Sequence, residues 1–211
     1  MASKVRTTPE TPVRDRGEQT RRHILSVAGR MFAECGYAGT SLNDIVRESG
    51  LTKGAVYFHF SSKEALALEV FQDMHVRMTE RLLATAQSHE RALDQMAAML
   101  QDRCVLLEQE RSFRSMGKLC GDLGRDPDLA PQMQQMMHMP VELMTSLIST
   151  AQAQGDVHPD LDPRAVAEIC FAVIIGMDQM SETLSGGTDL RRRAEEFLGF
   201  FLKAVTPARG R

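Results

Sequence analysis

Apolar residues recur every three or four positions along nearly the whole chain, the period of an amphipathic helix rather than a strand. Ile24, Leu25, Ala28, Met31 and Phe32 share one face of a helix that starts near Gly17 and ends at Gly36. Leu42, Ile45 and Val46 form the inner face of a second, short helix that Gly50 ends. A third runs from Thr52 to about His59, with Val56 inward and Phe58 and Phe60 expected to anchor it to its neighbours. Ser61 or Ser62 opens a fourth, longer helix reaching about Ser88, with Leu66, Val70, Phe71, Met74, Met78 and Leu82 inward. Residues 91–108, 109–123, 128–154, 163–184 and 188–205 keep the same period, with Pro140 expected to kink or divide its segment. No stretch alternates like a strand, so the predicted fold class is all-α.

The punctuation between the early helices carries the first chemistry. Ser41 stands at a helix start with Asp44 at the capping-box position. Gly50 permits a left-handed turn, and Thr52 caps the third helix. Two short helices around such a turn form a helix-turn-helix, which lays its second helix in the major groove of DNA. Lys53-Gly54-Ala55 sets a cation beside two small residues, so the helix start can approach phosphates and base edges. Thr40, Ser41 and Thr52 offer hydroxyls, and Tyr57 and His59 offer further donors to phosphate. Lys63 combines its charge with the free amides of the next helix start.

Charge distribution supports this reading where net charge does not. The chain of 211 residues is −3 overall. Residues 1–72 hold 10 basic and 8 acidic side chains, and the remainder holds 15 and 20. Residues 1–16, rich in Thr, Pro and Arg, read as a disordered basic arm whose Arg14 and Arg16 reach for a minor groove. No apolar run approaches the roughly 18 residues of a membrane span, and residues 1–22 carry no signal-peptide pattern, so a cytoplasmic protein without a membrane partner is expected. Cys35, Cys104, Cys120 and Cys170 are widely spaced, and His138 and His158 have no second histidine or cysteine at i+4, so neither a metal nor a cofactor is expected. No paired-carboxylate or Ser-His-Asp pattern signals an enzyme.

Phe32-Ala33-Glu34-Cys35-Gly36-Tyr37, Thr40-Ser41, Gly50 through Phe60 and Lys63-Glu64-Ala65-Leu66 resemble the DNA-binding domain of the TetR family of bacterial repressors, over about residues 20–70. The resemblance implies DNA contacts by Thr52, Lys53, Gly54, Tyr57, His59 and Lys63, with Thr40 and Ser41 at phosphates. It implies a homodimer of nine or ten helices per chain, with a helix-turn-helix domain at residues 17–63 and a ligand-binding and dimerisation bundle at 64–211. Thr52 to Phe60 is most similar to the γ-butyrolactone (autoregulator) receptors of actinomycetes. Those receptors usually carry a tryptophan in the pocket, and this chain has none.

Eleven of the fourteen methionines lie from Met78 onward, and methionine suits a pliable pocket. Phe113, Met116, Cys120, Met137, Phe171, Ile174 and Asp178 are the expected lining, chosen as positions on helices that should face one another. Ala165, Ile169, Ala172, Val173, Gly176, Phe197, Phe200, Phe201 and Ala204 suit a dimer seam. The combined expectation is a homodimeric repressor on a palindromic double-stranded operator, released by a small hydrophobic effector. The residues leave open a small-molecule binder with an idle DNA head, and a thiol sensor using Cys104, Cys120 or Cys170.

Overall fold

The computed structural model describes residues 11–114 and 116–207, with side chains described for 16–110, 113–114 and 116–207. Ten helical segments and no strand are present among these residues. Helix α1 (Thr11–Cys35) lies against α2 (Leu42–Ser49) and α4 (Lys63–Ala86), with the seven-residue α3 (Lys53–His59) between them in sequence. The remaining helices are α5 (Ala92–Gln109), α6 (Arg111–Arg114), α7 (Met116–Gly124), α8 (Ala130–Ala153), α9 (Pro163–Ser185) and α10 (Leu190–Val205). Helix α1 begins at Thr11, so residues 11–16, expected in an arm, are helical; residues 1–10 of that arm lie outside the described residues.

Local sequence sets the early helix ends. Ser41 and Asp44 form a reciprocal capping box, and Gly50 ends α2 at φ 68°. Thr52 and Ser62 each accept a hydrogen bond from a first-turn amide, at Ala55 and Ala65. Further along, α8 passes through Pro140 without a break. Asp162 caps α9, with Pro163 in its first turn. Asp189 ties α9 to α10 by accepting from the hydroxyls of Ser181 and Ser185 and pairing with Arg192 and Arg193.

The head and the bundle share a single core. Ile24, Phe32, Ile45, Val56 and Phe60 pack in one cluster with Leu66, Val70, Phe71 and Met78 of α4, and onward to Leu100, Phe113, Leu123 and Ile174. A smaller cluster at the far end joins Met96, Ile148, Val157, Ala167 and Val205.

The two phenylalanines expected to anchor α3 behave differently. Phe60 is 1% exposed and takes the Arg21 guanidinium over its ring, 5.5 Å from the centroid. Phe58, two residues earlier, is 84% exposed, because it lies on the side of α3 opposite Val56. Replacing Phe60 by alanine should cost about 3–5 kcal/mol of stability, as for a buried aromatic, and Phe58→Ala should stay within about 0.5 kcal/mol. Urea denaturation checks both, and equal losses would contradict this packing.

Candidate nucleic-acid interface and interior cavity

The outer face of α3 is built from its first turn. Thr52, Lys53 and Gly54 are exposed, as are Tyr57 and Phe58, while Val56 is fully buried beneath them. A methyl group added at Gly54 would meet nothing within 4 Å, so the backbone there is open to a large partner. The Lys53 ammonium lies 5.3 Å from the Tyr57 ring centroid, one helical turn on. His59 is half-buried, edge-on to Phe58 with ring centroids 5.2 Å apart. Hence α3 turns a cation, a phenol and bare backbone outward on a rigid base, as contact with a polyanion requires.

The surrounding scaffold holds α3 in place. His23 Nε2 lies 3.0 Å from the Ser49 carbonyl, and Arg30 pairs with Glu48 at 2.8 Å, so both join α1 to α2. Ser49 accepts from the Leu51 amide inside the turn. Two of the expected phosphate contacts are engaged internally. The Thr40 side chain is 2% exposed, and its hydroxyl donates to the Gly36 carbonyl at 2.8 Å, which corrects its expected role as a phosphate donor. Lys63 donates to the Tyr37 carbonyl at 3.0 Å and lies 4.1 Å from the Tyr37 ring centroid, leaving it only part of its donor capacity. Burial and the neighbouring Glu64 push the Tyr37 phenol up to about 12. Ser41 remains exposed, though its hydroxyl caps α2. Hydrogen bonds from Ser41 and Arg47 hold the Asp44 carboxyl below its usual range.

A cavity of about 150 Å³ lies in the bundle. Five of the expected residues line it: Met116, Cys120, Met137, Phe171 and Ile174. Phe113 does not, because α6 packs against α1 and the ring is buried in the core under the Arg77 guanidinium, 5.0 Å from its centroid. Asp178 does not either, because its carboxylate is turned to Arg103, which donates to it through both terminal nitrogens. Arg103 itself reaches the cavity wall. Phe197 and Phe201, expected at a dimer seam, line the cavity instead, and they stand with ring centroids 5.8 Å apart.

The sequence reading missed the part of the lining that comes from α4 and α5, including Phe71, His75, Thr79, Met96 and Met99. Position was a usable signal for His75. It stands one turn from Phe71 and three residues from Met78, both assigned inward. Among the described residues its Nε2 is buried without a hydrogen-bond partner, and desolvation pushes its pKa down, which favours the neutral ring.

Comparison with known proteins identifies the architecture. Residues 24–70 match the profile of "Bacterial regulatory proteins, tetR family". The solved structure of TylP, a TetR regulator from Streptomyces fradiae, is 30% identical, covers 91% of this chain and 89% of that one, and superposes with a TM-score of 0.73. The chain belongs to the TetR family. TetR-family relatives with curated descriptions include the A-factor receptor protein of Streptomyces griseus, 28% identical over 90% of this chain and 65% of that protein. The transcriptional regulator TtgR of Pseudomonas putida is 26% identical over 92% of this chain and 96% of its own length. These are transcription regulators rather than enzymes, and no described helix of this TetR-family chain is long and apolar enough to cross a membrane.

The thiols of this TetR-family chain are poorly placed for redox sensing. Burial pushes Cys104 and Cys170 up to about 11 and raises Cys120, and the thiolate is the reactive form. Cys35 alone is exposed. With an aromatic disulfide reagent at pH 8, Cys35 should react at once, and the other three only slowly until denaturant is added. Four equally fast thiols would restore the redox alternative.

Proposed function

We propose that the chain is an effector-released repressor that binds a palindromic operator as a homodimer. The observation that carries the DNA half is the exposed outer face of α3, with Lys53, Gly54, Tyr57 and Phe58 turned away from a core that holds Val56 and Phe60. It disfavours an idle DNA head, since a retired surface has no need of an open glycine beside an exposed lysine. Thr52, Lys53, Gly54, Ala55, Tyr57 and His59 are the proposed contacts, with Ser41 and Lys63 at flanking phosphates.

Dimerisation follows from α9 and α10. Ile169 is 62% exposed, Leu184 65% and Phe200 73%, and Ala165, Ala172 and Gly176 are exposed between the larger residues. So much uncovered aliphatic and aromatic surface on two adjacent helices favours pairing with a second copy. A two-fold pair sets two recognition helices about 34 Å apart, or a multiple of that spacing.

The release step uses α4. Its first turns pack in the head, and Phe71, His75, Met78 and Thr79 line the cavity, so an effector there acts on the helix that orients α3. A coupling of ~1–3 kcal/mol gives a ~5–150-fold change in operator affinity. Similarity to the A-factor receptor protein and the cavity's apolar lining support a small hydrophobic effector, with a γ-butyrolactone signal among the first to test. Four phenylalanines, Phe71, Phe171, Phe197 and Phe201, supply aromatic surface in a pocket without tryptophan.

Fluorescence anisotropy with palindromes from the gene's own upstream region tests the DNA half. Lys53→Ala and Tyr57→Ala should each weaken binding about tenfold or more, a loss of about 1.4 kcal/mol, with thermal midpoints unchanged. No binding to any such palindrome at low salt would refute the assignment. Phe200→Glu should yield a monomer in sedimentation velocity, and a persisting dimer would move the seam elsewhere.

A further inference from the structure

The walls of the cavity restrict the charge of what enters it. Among the described residues no Asp or Glu side chain lines it, so a cationic ligand finds no counter-charge there. The one charged side chain at the wall among the described residues, Arg103, is already held by Asp178 through two parallel hydrogen bonds, with side-chain exposures of 13% and 18%. An anionic ligand would have to displace that partner, and a buried ion pair broken on one side leaves a charge uncompensated. The thioethers, aromatic rings and branched aliphatic side chains that together make up most of the lining select hydrocarbon.

One polar group in that wall is unsatisfied. His75 lines the cavity, stacked on Phe71 with ring centroids 6.0 Å apart and an interplanar angle of 11°. Its Nε2 is buried with no partner among the described residues. Buried polar atoms are rarely left so, and the exceptions call for a role. Met78, Met96, Met99 and Met116 also line the cavity, and unbranched thioether side chains re-pack readily to admit a ligand atom to a shielded nitrogen.

We infer that the effector is an uncharged, mainly hydrocarbon molecule whose carbonyl or hydroxyl oxygen hydrogen-bonds to Nε2 of His75, the polar anchor of the cavity. This rests on the proposal that the cavity is the effector site. It adds the charge class of the ligand and the residue that orients it. A carbonyl accepts from Nε2–H, and a hydroxyl serves either tautomer of the neutral ring. The anchor stands on α4, twelve residues beyond Lys63, or about 18 Å along the helix. The ligand's one directional bond therefore falls on the element that reaches the DNA-facing head.

Isothermal titration of the full chain with 2-decanone, decane, decanoate and decylammonium tests this, using wild type, His75→Phe and His75→Gln. The ketone should bind wild type tighter than decane and tighter than either ion. His75→Phe should weaken the ketone about tenfold, leave decane unchanged and so report an intact cavity, while His75→Gln should recover part of the ketone affinity through its amide donor. The infrared carbonyl band of 2-decanone should shift to lower frequency on binding wild type and not on binding His75→Phe. An unshifted band, or equal ketone affinity in wild type and His75→Phe, would overturn the anchor. Tighter binding of decanoate or decylammonium would overturn the charge class. If none of the four binds, the cavity is not the effector site, and the underlying proposal falls together with this one.

Discussion

Helix α4 is buried along its length against two sets of neighbours. Leu66 and Ala67 close the floor of the helix-turn-helix with Ile24, Ile45, Val56 and Phe60. Phe71, Met74 and Met78 continue the same face into the bundle, beside Leu100 and Ile174. Close-packed interiors transmit displacement rather than absorb it. The head and the bundle are thus joined through one continuous cluster along α4. The Lys63 and Glu64 contacts to Tyr37 add a polar clasp between the start of α4 and the loop after α1.

The bundle that surrounds α4 combines firm and pliable parts. Asp189 with its two serines and two arginines fixes the corner between α9 and α10. Arg81 and Asp102 pair α4 with α5, supported by the Thr85 hydroxyl. Between these braces the interior is apolar and includes six methionines, whose side chains adapt. Polar order at the periphery thus surrounds soft packing within.

Features set within a few residues were legible in the sequence. Ser41 with Asp44, Gly50 and Thr52 each act on local backbone, so their roles follow from spacing alone. Helix faces were legible too, which is why Met116, Cys120, Met137, Phe171 and Ile174 all reach the cavity. What failed depended on how a helix is rotated against distant partners. Phe113 goes with α6 onto α1, and Asp178 turns to Arg103, 75 positions away in sequence. On α10, Phe197 and Phe201 turn inward and Phe200 outward, though all three are equally apolar. Thr40 was misread because the carbonyls that accept from its hydroxyl, those of Met31 and Gly36, belong to the end of α1 and the turn after it, several residues earlier in the chain.

The division of labour within α3 has an evolutionary corollary. Val56 and the capping Phe60 carry the packing, while Lys53, Gly54, Tyr57 and Phe58 touch little of the interior. The residues proposed to read DNA are thereby uncoupled from residues that keep the domain folded. On that proposal, such a surface can drift toward new operators by single replacements at almost no thermodynamic cost, leaving the proposed sensing chamber intact.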